Sequence, residues 1–269
     1  MSTGLELLQH ALHAADHPVL NVTDVTRLYG ERIGCADVSF KLWPGEVLGI
    51  VGESGSGKST LLRCLAGLDR PSSGCVMLDD EGMTLDLHGL SEQQRRALMR
   101  RSMGIVHQNP RDGLRMDVSA GGNVGERLMD RGERHYGKIR SVASDWLRRV
   151  EIDPARIDDL PRQFSGGMQQ RLQIARVLVS EPKLVFMDEP TGGLDVSVQA
   201  KLLDLLRSLV RQLNIAAVIV THDLAVARLL TDRLMVMKGG CVVEQGLTDQ
   251  VLDDPQHAYT QLLTSAVLS

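Results

Sequence analysis

Paired cysteines, long apolar spans and a strong charge of one sign are all missing from this sequence, and each absence removes a class of protein. The four cysteines, Cys35, Cys64, Cys75 and Cys241, form no C-x-x-C pair and no cluster. Iron–sulfur ligation and zinc-ligand spacing are therefore absent. Unpaired thiols fit a reducing, cytoplasmic setting. No apolar run approaches the roughly 18 residues that span a bilayer, so direct membrane insertion is not expected. Residues 1–18 lack the basic start and apolar centre of a signal peptide. Net charge is −4 and the pI is near 6.1, which gives no broad footprint for nucleic acid. Aromatics are scarce at 3%, yet a hydrophobic content of 43% supports a real core. A length of 269 residues allows one large domain or two small ones.

What is present is concentrated at residues 52–60, Gly-Glu-Ser-Gly-Ser-Gly-Lys-Ser-Thr. The apolar run Val47–Val51 before it reads as a buried strand, and residues 61–66 after it read as a helix. Strand, glycine-rich loop and helix together turn the Gly-x4-Gly-Lys-Ser pattern into a nucleotide site. Loop N–H groups cradle phosphate oxygens and the helix N-terminus adds its positive end. Lys58 would reach the β- and γ-phosphates, and the Ser59 hydroxyl would ligate Mg²⁺.

Two further apolar runs end in polar residues suited to phosphate chemistry. Residues 184–187 lead into Asp188-Glu189, and residues 215–220 lead into Thr221-His222-Asp223. Runs this apolar suit parallel strands covered on both faces, with ligands at their carboxyl ends. Between Gln108 and Ser165 helical stretches such as 137–150 follow one another without strand signals, which predicts an inserted helical subdomain. Ser91-Glu92-Gln93-Gln94 is a capping box. It opens a helix whose Arg95, Arg96, Arg100 and Arg101 read as a solvated face. Val198, Leu202, Leu205 and Leu209 form a core stripe on another helix. Residues 234–237 and 241–243, joined by Lys238-Gly239-Gly240, predict a hairpin. Leu5, Leu8 and Leu12 sit at helical spacing near the N-terminus. His10, His13 and His17 could share one face there as a metal box, against the plainer expectation of a solvated extension.

Asp188 and Glu189 follow a buried strand, as a second magnesium-binding motif would. Asp188 would hold Mg²⁺ through water and Glu189 would act as general base toward the attacking water. Ser165-Gly166-Gly167, in Phe-Ser-Gly-Gly-Met-Gln-Gln-Arg, opens a helix expected over 168–179 and makes a second anion-binding helix N-terminus. One triphosphate has no need of two such sites on one chain. A head-to-tail pair of chains uses both, each turn closing over the partner's nucleotide.

These segments together resemble the ATPase subunits of the ATP-binding cassette superfamily, over nearly the whole chain from about Leu20 onward. The resemblance implies an α/β fold: a P-loop NTPase core with a mainly parallel sheet, an antiparallel β subdomain and an inserted α-helical subdomain. The implied division is an N-terminal extension (1–18), an ATPase domain (19–250) carrying the helical subdomain at about 109–180, and a C-terminal tail (251–269). In the family's terms Gly52, Glu53, Ser54, Gly55, Ser56, Gly57, Lys58, Ser59 and Thr60 form the Walker A loop. Residues 184–189 form the Walker B strand, and Ser165, Gly166 and Gly167 the signature turn. Gln108 is the Q-loop residue, Gly193-Leu194-Asp195 the D-loop, and His222 the switch histidine. Tyr29 lies where the family stacks an aromatic on adenine. The implied cofactors are ATP and Mg²⁺, the metal on Ser59, Gln108 and Asp188. Lys58, Gln108, Glu189 and His222 are the implied catalytic residues. Two departures stand out: Met168 replaces the Gln of many members, and Gly192-Gly193 replaces a small-residue pair, which adds backbone freedom to the D-loop.

The segment after Gln108 separates the uses of ATP. Transporter ATPases grip a permease helix there. Here 106–115 reads Val-His-Gln-Asn-Pro-Arg-Asp-Gly-Leu-Arg. With 118–129, 134–137, 157–161 and 190–195, it resembles the ATP-binding subunits of bacterial carbon–phosphorus lyase systems, which degrade organic phosphonates. That resemblance implies a soluble ATPase, paired with itself or with a related cassette protein, docked on the lyase core near His107 and Arg111 to Arg115. The tail at 254–263, Asp-Pro-Gln-His-Ala-Tyr-Thr-Gln-Leu-Leu, instead resembles oligopeptide and nickel importer ATPases, with Ala258 in place of their usual Pro. A cassette acting on DNA is disfavoured by the acidic balance and the lack of a coiled-coil insertion. Lyase genes or permease genes beside this one would separate the first two readings. A Glu189→Gln chain is expected to bind ATP yet barely hydrolyse it, trapping the closed dimer. Wild-type turnover in a phosphate-release assay would remove Glu189 from the mechanism.

Overall fold

The computed structural model describes residues 17–80 and 82–267. The stretch with Leu5, Leu8, Leu12, His10 and His13 lies outside them, and His17 is exposed. Strands β1 (Leu20–Tyr29), β2 (Arg32–Leu42), β4 (Ser73–Asp80) and β5 (Met83–Asp86) make an antiparallel sheet ordered β2-β1-β4-β5. Strands β3 (Val47–Val51), β6 (Met103–Val106), β7 (Leu184–Asp188), β8 (Ala216–Val220), β9 (Arg233–Lys238) and β10 (Cys241–Leu247) make the second sheet, ordered β10-β9-β3-β8-β7-β6. Every pair in it is parallel except β9 with β10, which form the expected hairpin. The Ala36 N–H donates to Gly240 O at 2.9 Å and ties the hairpin turn to the antiparallel sheet.

Successive side chains of a strand point to opposite faces, and the central strands sort their apolar residues accordingly. Leu184 and Phe186 of β7, with Ala216, Val218 and Val220 of β8, join one core beneath the antiparallel sheet and helix α1 (Lys58–Leu65). Val185, Met187, Ala217 and Ile219 join the other, beneath helices on the opposite face. Both faces are covered, so these strands read as unbroken apolar runs.

Helix α2 (Glu92–Ser102) begins with the expected capping box, in which Ser91 and Gln94 satisfy each other's backbone N–H groups. Its arginines lie on the solvated side as expected, Arg96, Arg100 and Arg101 exposed and Arg95 half-buried. Arg101 also pairs from the surface with Asp80, a carboxylate 1% exposed that accepts from the Ser102 hydroxyl at 2.7 Å. No strand lies between β6 and β7. The chain there forms helices α3 (Pro110–Gly113), α4 (Ala120–Asp130), α5 (Tyr136–Arg149) and α6 (Gly166–Leu178), with two 3-10 turns. Ala120, Val124, Trp146, Leu147 and Leu172 form their shared interior. Strands β6 and β7 still pair directly, Ile105 opposite Phe186, so the helices leave the sheet from between two neighbours without breaking it.

The remaining helices are α7 (Val196–Gln212), α8 (Leu224–Leu230), α9 (Thr248–Asp253) and α10 (Ala258–Val267). In α7, Leu202 and Leu209 are buried as the stripe predicts. Phe186 is fully buried at the centre of the sheet. Phe186→Ala should lower unfolding stability in urea by about 3–5 kcal/mol, and a loss under about 1 kcal/mol would contradict this packing.

Candidate functional site

Strand β3 ends at Val51, the chain turns through residues 52–57, and α1 starts at Lys58. Gly57 caps α1 at φ 102° with no side-chain hydrogen bond. The first-turn N–H groups of a helix have no partner within the helix, so here they are left for a ligand. A Cβ on Gly57 would stand 2.1 Å from Gly34 O, which together with the positive φ admits only glycine. Helix α6 is closed differently, because the Ser165 hydroxyl accepts its Met168 N–H at 3.4 Å.

The Lys58 ammonium is buried, with Nζ 2.7 Å from Gly52 O, 2.8 Å from Glu53 O and 3.4 Å from the Ser56 hydroxyl. Burial pushes its pKa down, opposed by the carboxylates of Glu189, Asp188 and Glu53. The Ser59 hydroxyl donates to Asp188 Oδ1 at 3.2 Å. Burial pushes the Asp188 carboxyl above its ordinary range, Glu189 adding to it, while the Ser59 hydrogen bond and Lys58 oppose. A hydroxyl beside a carboxylate is a hard oxygen donor set, the kind that suits Mg²⁺.

Glu189 follows β7 with φ 44°, a left-handed conformation that costs a non-glycine residue about 1–2 kcal/mol. The turn is held by Glu189 N–H to Val220 O and Gly192 N–H to Glu189 O, both 2.9 Å. Glu189 Oε1 lies 2.7 Å from His222 Nδ1 and accepts the His222 N–H at 3.0 Å, and the Thr221 hydroxyl donates to Oε2 at 3.2 Å. The carboxylate is thus fixed in orientation by two residues at the end of β8.

A cleft of about 930 Å³ runs over this loop. It is lined by Tyr29, most of the 52–60 loop, Gln108, Glu189 and His222, so the structure brings those predicted residues together. Ser56 turns inward and is buried. Tyr29 is 44% exposed, with the Arg27 guanidinium 4.7 Å from its ring centroid and its hydroxyl 3.4 Å from Asp69. Ser165, Gly166 and Asp195 are exposed and lie outside this lining. The glycine pair at 192–193 has definite uses. Gly193 adopts φ 75°, and a Cβ on Gly192 would sit 3.3 Å from Gln108 Nε2, so Gln108 rests against that backbone.

Sequence reasoning missed several groups. Thr221, at the end of an apolar run, orients Glu189 through its hydroxyl, and Leu224 and Leu263 line the cleft. Gln170 and Gln173 of α6 are buried and grip the His107 backbone: Gln173 Oε1 accepts its N–H at 2.7 Å, and both amides donate to its carbonyl. Gln170 and Gln173, one turn apart on a helix otherwise apolar on that side, are the signal that could have found this link. Beside it is a second cleft of about 270 Å³, where Arg96, Arg100, Arg127 and Arg176 surround Met99 and Met103. Arg176 is paired with Glu126 at 2.9 Å. Arg127 Nε is buried without a hydrogen-bond partner, and burial, with Arg176 nearby, makes its charge costly. Arg111 is exposed, as is Arg115, which pairs with Glu126 at 3.1 Å.

Comparison with known proteins accords with this geometry. The family model described as ABC transporter matches residues 35–192. The chain is 65% identical to PhnK, a phosphonates utilization ATP-binding protein of Escherichia coli (strain K12), over 94% of this chain and 99% of that one. It is 36% identical to the di/tripeptide transport ATP-binding protein DppF of Pseudomonas aeruginosa (strain UCBPP-PA14), over 92% of this chain and 78% of that one. Among solved structures, a dimeric post-hydrolysis state of the ATP-binding cassette MJ0796 bound to ADP and Pi superposes with a TM-score of 0.76. It shares 31% identity and covers 85% of this chain and 98% of its own. CbiO1 from Clostridium perfringens, part of an ABC transporter complex, gives 0.77 at 31% identity, over 88% and 91%. Gly57→Ala should weaken ATP binding at least about tenfold, the equilibrium factor of 1.4 kcal/mol, in a fluorescent-nucleotide titration. Unchanged affinity would contradict the loop geometry.

Proposed function

We propose a function for this chain from the family to which it belongs, the ABC transporter family of ATP-hydrolysing cassettes. It works as an accessory ATPase of organic phosphonate catabolism, docked on the soluble core of a carbon–phosphorus lyase in the cytoplasm. The observation that carries this reading is the likeness to PhnK, which is far closer than that to DppF and spans both chains almost end to end. The importer reading keeps one support, the peptide-transport relatives together with the tail at 254–263.

In the proposed cycle two copies of the chain close head to tail. The loop N–H groups and Lys58 of one copy hold the ATP phosphates, and Ser165, Gly166 and Gly167 of the other cover them, with Asp195 at the seam. Tyr29 supports the adenine. Ser59, Gln108 and Asp188 would hold Mg²⁺, which would supply positive charge against the phosphate oxygens. Glu189 accepts a proton from the attacking water, and His222 with Thr221 keeps its carboxylate aimed. The grip of Gln170 and Gln173 on the Gln108 segment supports a link between nucleotide, signature helix and docking surface.

The arginine-rich cleft next to His107 favours an acidic partner segment with an apolar side chain to cover the half-buried Met99. Glu189→Gln with ATP and Mg²⁺ should capture the soluble lyase core, and recovery with a membrane permease instead would overturn the reading. Adding Arg100→Glu and Arg127→Glu should weaken that capture at least about tenfold, or 1.4 kcal/mol, as judged by quantitative pull-down. Undiminished capture would move the docking surface elsewhere.

A further inference from the structure

Two hydrogen bonds fasten the backbone of the phosphate loop from the C-terminal end of the chain, beyond the residues that match the family model. At one point the Gly240 N–H, in the β9–β10 turn, donates to Ser56 O at 2.9 Å. At the other the Glu53 N–H donates to the hydroxyl oxygen of Tyr259, in α10, at 3.0 Å. Lys238 joins the two, its ammonium lying 4.6 Å from the centroid of the Tyr259 ring.

The position of Tyr259 is firmly set. The ring is 4% exposed, packed in a cluster with Val51, Leu224, Val236, Val251 and Leu252. The entry into α10 is anchored on β10, because the Glu244 carboxylate accepts the N–H groups of Gln256 at 2.8 Å and His257 at 3.0 Å. His257 Nδ1 then accepts the Tyr259 N–H at 3.1 Å. One turn further along α10, Leu263 lines the nucleotide cleft itself.

Glu53 is therefore held on both sides of its residue. Tyr259 takes its N–H, and its carbonyl takes the Lys58 ammonium at 2.8 Å. We propose that Tyr259 is a positioning residue of the ATP site, through which the C-terminal helix holds the phosphate loop in its nucleotide-binding shape. The proposal rests on the 52–60 loop being the ATP site. Ordering a loop before the ligand arrives removes an entropic cost of binding. Removing the hydroxyl thus weakens nucleotide binding, while the chemical step, in which Tyr259 takes no part, is spared.

Tyr259→Phe keeps the ring and deletes the hydroxyl. The expected result is a Kd for ATP, and a KM, raised about fivefold, the factor of one neutral hydrogen bond, with kcat within about twofold of wild type. A hydroxyl that serves stability alone would lower the unfolding midpoint and leave Kd unchanged, and that result overturns the proposal. Amide exchange on the wild-type chain without nucleotide gives a second readout. The Glu53 N–H should be protected, and exchange at the rate of a free loop amide would also overturn it. Lys58→Ala separates the two ways to fail. If that variant binds ATP as wild type does, the loop assignment itself falls and takes this proposal with it. If it loses ATP while Tyr259→Phe binds normally, only the role of Tyr259 is removed.

Discussion

A buried ammonium with no carboxylate in direct contact among the described residues is the constraint around which this protein is organised. Lys58 is 6% exposed and its hydrogen bonds go to two loop carbonyls and a hydroxyl. Burying a charge without a counterion is expensive, and here the cost is moderated at longer range by Glu189, Asp188 and Glu53. A phosphate placed at the uncapped start of α1, as proposed, would supply the missing negative charge. The loop, the strand before it and the carboxylates at the end of β7 all serve to keep that ammonium in place.

The strain at Glu189 belongs to the same arrangement. A left-handed turn directly after a buried strand is stable only where its surroundings hold it, and Val220, Gly192, Thr221 and His222 do so with hydrogen bonds. The carboxylate is therefore aimed by the sheet rather than by a mobile loop. The glycine pair at 192–193 is part of this economy. It reads in sequence as added freedom, but in the fold it serves a positive φ and a close approach of Gln108.

Strands β3, β7 and β8 of the central sheet were legible because they are short, apolar throughout and followed by polar residues, a pattern set by burial on both faces, whereas β6, only four residues long, was not read as a strand. Two helix boundaries followed to within a residue or two, Tyr136–Arg149 expected over 137–150 and Gly166–Leu178 expected over 168–179, while α1 starts at Lys58, three residues before the expected 61–66. The antiparallel sheet was expected only by resemblance, because β1, β2 and β4 mix exposed and buried residues and their register shifts at bulges. Contacts between segments far apart in sequence left no local pattern. Arg101 with Asp80, Tyr259 with Glu53, and the α6 glutamines with His107 depend on distant backbones meeting. Motif spacing does not carry that information.

The placement of Ser165, Gly166 and Asp195 outside the cleft is the reason for proposing a paired assembly, since the signature turn then has a use only on another chain's nucleotide. Sedimentation equilibrium of the Glu189→Gln chain, with ADP and then with saturating ATP and Mg²⁺, tests this most directly. The account predicts the mass of one chain with ADP and of two with ATP. One-chain mass with ATP bound would contradict it.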